Sequence, residues 1–487
     1  MLFVIDQWPA WAFAQKRAAL TGGFDRLLRE GTWHTGEHPS AATMTAPGHA
    51  LLGTGATSAR SGVLANEWWR RDLERSLHAV VDENGAPSAK WLRVPGLGDA
   101  IAAARRGGKA VSVALKDRAA ILPLGHAGTA IWYDPRRVAW ISLAPTPWLA
   151  AWNAARPISA HLHDVWTALP ETARLAGVPD AAPGEIGEKD LGVTFPHALD
   201  ATKAPADAIH ATPLGNDLVL DTATEAIARE QLGADDHADL LVVSLSAHDY
   251  IGHGWGQESW EAWDAMLRLD RRLAGFLAEL DRAVGPQRWA MIATSDHGAS
   301  PMPDARGGRI TYSQIKDAAN RAAIAELGPG EWIATAKYPT VYLSRAALAR
   351  PPRELAIATR KIIFALRSFP GLARVERAAD FWGRCDTRSG DDRALCLALD
   401  PERSGEIAYL PAAGWVMQSV DDPVATGHGS LEPYDRQVPV ITLAPGRVAH
   451  PPLAQPEPGL VPIEGIAATL ARWLGVTPPT ELPAAPR

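Results

Sequence analysis

The sequence predicts an α/β fold: a central, mostly parallel sheet flanked by helices on both faces, with an inserted α+β cap. Three observations lead there. Short apolar runs of strand length recur along the 487 residues, segments with helical spacing lie between them, and the pattern changes character between about 305 and 425. Strands covered on both faces read as near-continuous apolar runs, and parallel strands need long crossover connections, usually helices.

The strand candidates come in order. They are LFVI (2–5), AVSVAL (110–115), DLLVVSLS (239–246), WAMIATS (289–295) and VPVITLA (438–444), all read as buried parallel strands. The helical segments are GLGDAIAAARRGG (96–108), SWEAWDAMLRLDRRLAGFLAELDRAVG (259–285) and PIEGIAATLARWLG (462–475), each ending in glycine. Glycine after the last periodic residue is a helix stop. Between these, 65–95 reads as a hairpin excursion. From 305 to 425, short helices (314–326 and 352–368) mix with isolated strands such as PTVYLS and EIAYL. The expected division is therefore a catalytic core of 1–304 and 426–487, interrupted by a cap of 305–425.

Composition narrows the class. At 47% hydrophobic and 21% charged the chain is an ordinary globular sequence, and no apolar run reaches the ~20 residues a membrane span needs. A formal charge of -7 argues against nucleic acid or an anionic membrane as a general partner. The chain starts directly on a strand with no signal peptide, so the expectation is that it is cytoplasmic or that a leader has been removed or left out of this sequence. Cys385 and Cys396 flank a polar, turn-rich stretch and are expected to close a hairpin with a disulfide, which favours an oxidising compartment.

The chemistry lies at strand ends. LFVI runs into Asp6, LLVVSLSAH into Asp249 with His253 four residues on, and AMIATS into Asp296-His297. In open α/β sheets, sites form beyond the carboxyl ends of strands. His428, in ATGHGS, is a further candidate ten residues before VPVITLA. Singly, an Asp after a strand is usually a turn or cap residue. Together, three Asp, three His and a nearby hydroxyl suit two Zn²⁺ ions. Two such ions clamp the attacking and leaving oxygens of a phosphoryl transfer.

The stretch TMTAPGHALLGTG (43–55) supplies the hydroxyl. It lacks the Gly-Lys-Ser/Thr ending of a phosphate-cradling Walker loop and is no G-x-S-x-G elbow. Pro47 and Gly48 read as a tight turn into a helix, whose N-terminus favours a phosphate. Either Thr43 or Thr45 could be the nucleophile.

These residues resemble the alkaline phosphatase superfamily, in its phosphate-irrepressible, single-threonine bacterial branch. The likeness is ordered along nearly the whole chain: VIDQ, TMTAPGHALLGTG, GVLANEWW, LKDRAAILPLGH, HDYIGH, TSDHG, and TGHGS with YDRQVPVI. The resemblance implies one metal held by Asp249, His253 and His428. It implies a second held by Asp6, Asp296 and His297, with Thr45 completing it. It selects Thr45 over Thr43, as a nucleophile that forms a covalent phospho-threonine.

LKDR discriminates within the superfamily. Lys116 and Arg118 lie i, i+2 after a strand, so an extended segment would point both one way, onto a dianionic phosphate. In the monoesterase branch these positions, with the asparagine matching Asn66, bind the phosphoryl oxygens. The implied function is a broad-specificity phosphomonoesterase. The alternatives are a nucleotide phosphodiesterase or pyrophosphatase of the same superfamily, and a phosphate-binding relative without catalysis. A sulfatase would need a C/S-x-P-x-R context, which is absent. The implied cofactors are two Zn²⁺ per chain, with a structural Ca²⁺ left open. The implied partners are small phosphate monoesters, the implied state a monomer, and the implied place the periplasm or outside the cell. His49, His126 and His248 are expected to be structural, and Trp68 and Trp69 to pack beneath Asn66 rather than line an entrance.

Overall fold

The computed structural model describes residues 1–304, 306–446 and 449–480. Its centre is a nine-stranded sheet. In spatial order the strands are Glu457–Pro462, Thr32–Glu37, Gln437–Leu443, Met291–Thr294, Leu2–Ile5, Leu240–Leu245, Ala110–Ala114, Thr129–Asp134 and Ala139–Ser142. The five strands from Met291–Thr294 to Thr129–Asp134 are mutually parallel. Gln437–Leu443 runs antiparallel to both of its neighbours, which corrects the expectation of a parallel strand there. Its apolar run reports burial on both faces, and burial carries no information about direction.

Alternation along the strands feeds two cores. Leu2, Val4, Leu240, Val242, Val438 and Val440 enter one; Phe3, Ile5, Leu241, Val243, Ile441 and Leu443 enter the other. The second core is closed largely by the helix Trp260–Ala283. Its buried Met266, Leu269, Leu273, Phe276 and Leu280 recur at helical spacing, and Ser259 caps it by accepting the Ala262 N–H at 3.0 Å. Each such fully buried side chain contributes roughly 1.5–3 kcal/mol and the cap about 1 kcal/mol. The helices expected at 96–108 and 462–475 form as Leu97–Ala104 and Gly465–Leu474.

Between Gly308 and Gln418 the chain builds a separate four-stranded antiparallel sheet, ordered Ile333–Lys337, Thr340–Leu343, Ile407–Pro411, Leu372–Arg377. The helices Tyr312–Leu327 and Pro352–Arg367 accompany it. Gly308–Thr311 and Trp415–Gln418 pair in parallel, so the two ends of this segment meet. Its apolar side chains, among them Ile315, Val341 and Tyr409, continue the first core without a break. The hairpin near 65–95 is Glu67–Arg70 with Arg75–His78.

Cys385 and Cys396 are joined, with Cα atoms 5.5 Å apart. They do not close a hairpin: Cys385 opens a 3₁₀ turn and Cys396 lies in the helix Gly390–Ala398. The polar stretch between them carries acidic residues in the first turn of that helix, where they favour it. Strands Thr32–Glu37, Thr129–Asp134, Ala139–Ser142 and Glu457–Pro462 were not anticipated. TWHTGE has one large apolar residue, and the last strand is almost wholly exposed, so the pattern of burial that marks a strand is weak in both.

Candidate active site

Asp6 follows Leu2–Ile5 and Asp296 follows Met291–Thr294, both at the carboxyl ends of parallel strands and both fully buried. Asp249 and His253 lie one turn apart in the helix Ala247–Trp255, directly after Leu240–Leu245, and so share a face. His428 precedes Gln437–Leu443. An antiparallel strand begins at the edge where its parallel neighbours end, so the reversed direction of that strand brings His428 to the same edge. His428 Nε2 lies 3.8 Å from Asp249 Oδ1, and His253 Nε2 lies 3.3 Å from the same oxygen.

The three histidines are held alike. Nδ1 of His253 donates to Thr426 O (2.9 Å), Nδ1 of His297 to Gly298 O (2.9 Å) and Nδ1 of His428 to Thr43 O (2.7 Å). Each bond fixes the tautomer that leaves Nε2 with a free lone pair, as metal-ligating histidines require. The rings of His297 and His428 stack at 3.8 Å. Among the described residues, Asp6 Oδ1 and His297 Nε2 are buried with no hydrogen-bond partner, and Asp296 Oδ2 has only the His49 ring nitrogen beside it, 3.1 Å away. Buried polar atoms are nearly always satisfied, so two unsatisfied ligand atoms at one place, Asp6 Oδ1 and His297 Nε2, fit a cation.

Among the described residues, two groups each bring their ligand atoms within 4.8 Å of one another: Asp249, His253 and His428, and Asp6, Asp249 and His297. Asp249 belongs to both. Asp296 borders the second group, with Oδ2 3.5 Å from His297 Nε2. The expected aspartate and histidine ligands are thus brought together, with Asp249 more central than its motif indicated.

Electrostatics explain why the cluster needs positive charge. Two like charges ~4 Å apart repel by roughly 4 kcal/mol at an effective dielectric of about 20. Burial, then the charges of Asp249 and Asp296, push Asp6 well above the usual carboxylate range. Lys116 partly answers this, its Nζ lying 2.7 Å from Asp6 Oδ2 and 2.5 Å from Asp249 Oδ2. Burial disfavours the Lys116 charge, but these two carboxylates outweigh it and keep the amine protonated above its ordinary range.

Lys116 and Arg118 do not share the extended segment that was expected for them. Lys116 is extended and caps a short helix, Asp117–Ile121, of which Arg118 is part. The cause is the fold of the strand's exit, where Ala119 and Ala120 both donate to Lys116 O. The two cations still converge: both exert their charge on Tyr250, and Lys116 Nζ sits 4.8 Å from the centre of that ring. Arg118 Nε is buried without a partner among the described residues.

Thr45 is the first residue of the helix Thr45–Thr54 and is buried. Pro47 and Gly48 therefore lie inside its first turn rather than leading into it; proline fits there because the first N–H groups have no intrahelical acceptor. A side chain on Gly48 would place Cβ 2.2 Å from the Asp296 carbonyl, so the helix start rests directly on a ligand-bearing segment. Asn66 Oδ1 accepts the Ala46 N–H at 2.8 Å, which sets that loop against the same helix end. Thr43 is differently engaged, its hydroxyl donating to Ser430 O at 3.3 Å.

A cavity of about 240 Å³ opens over His253, His428, Asn66 and Tyr250, with Lys189 and Lys337 on its wall. A larger cleft, about 470 Å³, lies near Met1, Leu240 and Trp473 and contains none of these residues. Trp68 is buried under the Arg403 guanidinium, and neither Trp68 nor Trp69 lines the cavity over the site. His49 bridges Thr45 O (2.9 Å) and Ser244 Oγ (2.8 Å) and touches Asp296. His248 donates to the Gln7 carbonyl, and His126 lies elsewhere, on Asp99 and Leu92. Sequence reasoning passed over Gln7 and Tyr250. Both adjoin candidate ligands in the chain, and that adjacency was the available signal.

A family model described as type I phosphodiesterase / nucleotide pyrophosphatase matches residues 1–422. The chain belongs to this family. Within the type I phosphodiesterase family it is also similar to named alkaline phosphatases. It is 31% identical over 471 residues to alkaline phosphatase PhoK of a Sphingomonas species, covering 90% of this chain and 82% of that one. It is 29% identical over 478 residues to alkaline phosphatase PhoV of Synechococcus elongatus, covering 91% and 84%. The crystal structure of wild-type alkaline phosphatase PafA superposes with a TM-score of 0.86 at 25% identity, covering 98% of this chain and 96% of that one. This family member therefore has the alkaline phosphatase-like α/β fold, in the branch of that phosphatase and related to the nucleotide pyrophosphatases.

Proposed function

We propose that this chain hydrolyses phosphate monoesters to an alcohol and inorganic phosphate through a covalent phospho-Thr45. Enzymatic phosphatase activity follows from the family and its alkaline phosphatase members. The observation that carries the finer reading is one convergence: three histidines whose Nδ1 atoms are committed to carbonyls gather with three buried carboxylates, and Asp296 and His428 adjoin the helix start that bears Thr45.

The relatives imply a divalent cation, and the nitrogen and oxygen donor set fits zinc. Asp249, His253 and His428 would hold one ion, and Asp6, Asp296, His297 and Thr45 the other, with Asp249 near both. Bound zinc supplies the charge that lowers the hydroxyl pKa of threonine and neutralises phosphoryl and leaving oxygens. Thr45 Oγ1 gives up its proton and attacks phosphorus, and the ester oxygen leaves as the alcohol. Water then attacks the phospho-threonine, the threonine oxygen recovers a proton, and phosphate departs. Lys116, Arg118 and Asn66 bind the non-bridging oxygens. The helix start and the cavity over the site orient the phosphate.

The family description also names phosphodiesterases. A monoester carries one more negative charge and one less bulky group than a diester, so Lys116 and Arg118 favour monoesters. Assaying p-nitrophenyl phosphate against its bis-ester tests this. The monoester is expected to turn over faster, activity to vanish after chelation, and zinc to restore it. Arg118→Ala is expected to lower monoester kcat/KM by about 10²-fold and diester kcat/KM much less, because the lost contact is to the extra charge. Equal losses on both substrates would contradict the role, and a faster diester reaction would sink the monoesterase reading.

We infer a periplasmic or extracellular location, a reading the disulfide supports. Among the described residues no helix is long and apolar enough to cross a membrane. Residues 305–425 are proposed as the cap: Tyr312, Lys337 and Tyr338 reach the cavity from it, where they would contact the leaving group.

A further inference from the structure

We propose that Gln7 is a positioning residue that aims one carboxylate of each metal-ligand group, an inference that rests on the two-metal reading above. Gln7 is fully buried, with its backbone in the left-handed region at φ 58°. A non-glycine residue there costs on the order of 1 kcal/mol and persists only where its surroundings fix it. Here every polar group of the residue is engaged. Its N–H donates to Asp296 Oδ1 at 3.3 Å and its side-chain Nε2 donates to Asp249 Oδ1 at 2.9 Å. Its carbonyl accepts from His248 Nδ1 (3.1 Å) and Gln257 Nε2 (3.2 Å), and its Oε1 accepts from Gln257 Nε2 (3.0 Å).

The choice of oxygen gives these bonds their meaning. Asp249 Oδ1 is the atom that faces His253 and His428. The Gln7 amide therefore fixes the direction of the oxygen the first group would offer. At Asp296 the arrangement is complementary. Gln7 N and His297 N (3.1 Å) donate to Oδ1, with the Ser295 hydroxyl 3.3 Å from it, while Oδ2 lies 3.1 Å from His49 Nδ1 and 3.5 Å from His297 Nε2. One residue, through its left-handed backbone and its amide, thus reaches both ligand groups.

The donor sense is fixed. A carboxylate only accepts, so the Asp249 side of the amide must be NH₂, and the Oε1 side then meets the NH₂ of Gln257. Lys16, itself buried, donates to the Gln257 carbonyl and extends the chain of bonds inward. Space for the amide is reserved by Gly252, where a Cβ would lie 1.8 Å from Gln7 Oε1. Partners one bond removed from a metal's ligands commonly hold about 10–100-fold of metal affinity.

The test uses the full chain, stripped by chelator and titrated with zinc against a chromogenic competitor, with the melting temperature of the stripped protein measured in parallel. Gln7→Gly keeps the left-handed backbone and its N–H but removes the amide. It is expected to weaken zinc binding about 10–100-fold while leaving the stripped protein as stable as wild type. Gln7→Glu fills the same volume but places a further carboxylate against Asp249, and is expected to lose at least as much. Should that variant not fold, Gln7→Asn, whose amide falls short of Asp249, carries the same expectation. Wild-type zinc affinity in Gln7→Gly and in a folded Gln7→Glu or Gln7→Asn overturns the inference. So does unchanged affinity with a lowered melting temperature, which is the signature of a merely structural residue. Failure of the wild type to bind two zinc ions would instead overturn the metal reading, and this inference with it.

Discussion

His428 Nδ1 donates to the carbonyl of Thr43 across 2.7 Å. The bond ties a histidine near the end of the chain to the loop that leads into the helix of Thr45, 385 positions earlier. It also engages the backbone of Thr43, whose hydroxyl is already committed to Ser430 O. Of the two threonines, Thr43 is thus engaged through both its hydroxyl and its carbonyl, while Thr45 holds the helix-start position.

Thr45→Ala is accordingly expected to lower monoester turnover by about 10³-fold or more, the scale of losing a nucleophile. Thr43→Val, which removes one weak hydrogen bond, is expected to cost about 1 kcal/mol of stability and less than tenfold in kcat. Steady-state kinetics with p-nitrophenyl phosphate decide between them. The reverse ranking would make Thr43 the nucleophile.

Gly48 gives a second expectation. Its α-carbon faces the Asp296 carbonyl so closely that a methyl group would stand 2.2 Å from it, and backbone does not move aside cheaply. Gly48→Ala is expected to destabilise the fold by about 1–3 kcal/mol and to lower kcat as Thr45 and Asp296 are pushed apart. Urea unfolding together with kcat measures both. A wild-type midpoint with wild-type turnover would show that the contact is relaxed.

The disulfide gives the third. Cys385 and Cys396 close a loop within the segment proposed as the cap, and typical disulfides contribute 2–4 kcal/mol. Replacing both by serine is expected to lower the unfolding free energy by up to this amount, with kcat per folded molecule kept. Intact mass under non-reducing conditions is expected to fall short of the reduced mass by two hydrogens. Two alkylatable thiols in the native protein would contradict the bridge.

Much of the site was legible because its signals are local. Asp6, Asp249 and Asp296 each follow an apolar run, and a run of that length ends at a sheet edge whatever its neighbours are. The Asp249–His253 spacing is one helical turn. Gln7 was not legible as more than a neighbour of Asp6, because its role depends on a left-handed backbone and on Asp249 and Asp296, which lie 242 and 289 positions away. The extended geometry expected for Lys116 and Arg118 failed for a related reason: i, i+2 spacing fixes direction only in a strand, and the chain turns into a helix at Asp117.

The sequence by itself determined which chemical groups are present and that they stand beside strands, since residue type and apolar periodicity are properties of short segments. The tertiary structure decided the rest. It set Gln437–Leu443 against its neighbours, which brings His428 to the edge shared by the three aspartates. It also placed Asp249 in both ligand groups and drew Lys116 between two carboxylates. The physical reason is that burial rewards an apolar strand equally in either direction. Direction is chosen by which edges pair and how the chain between them packs, and that choice involves residues hundreds of positions apart.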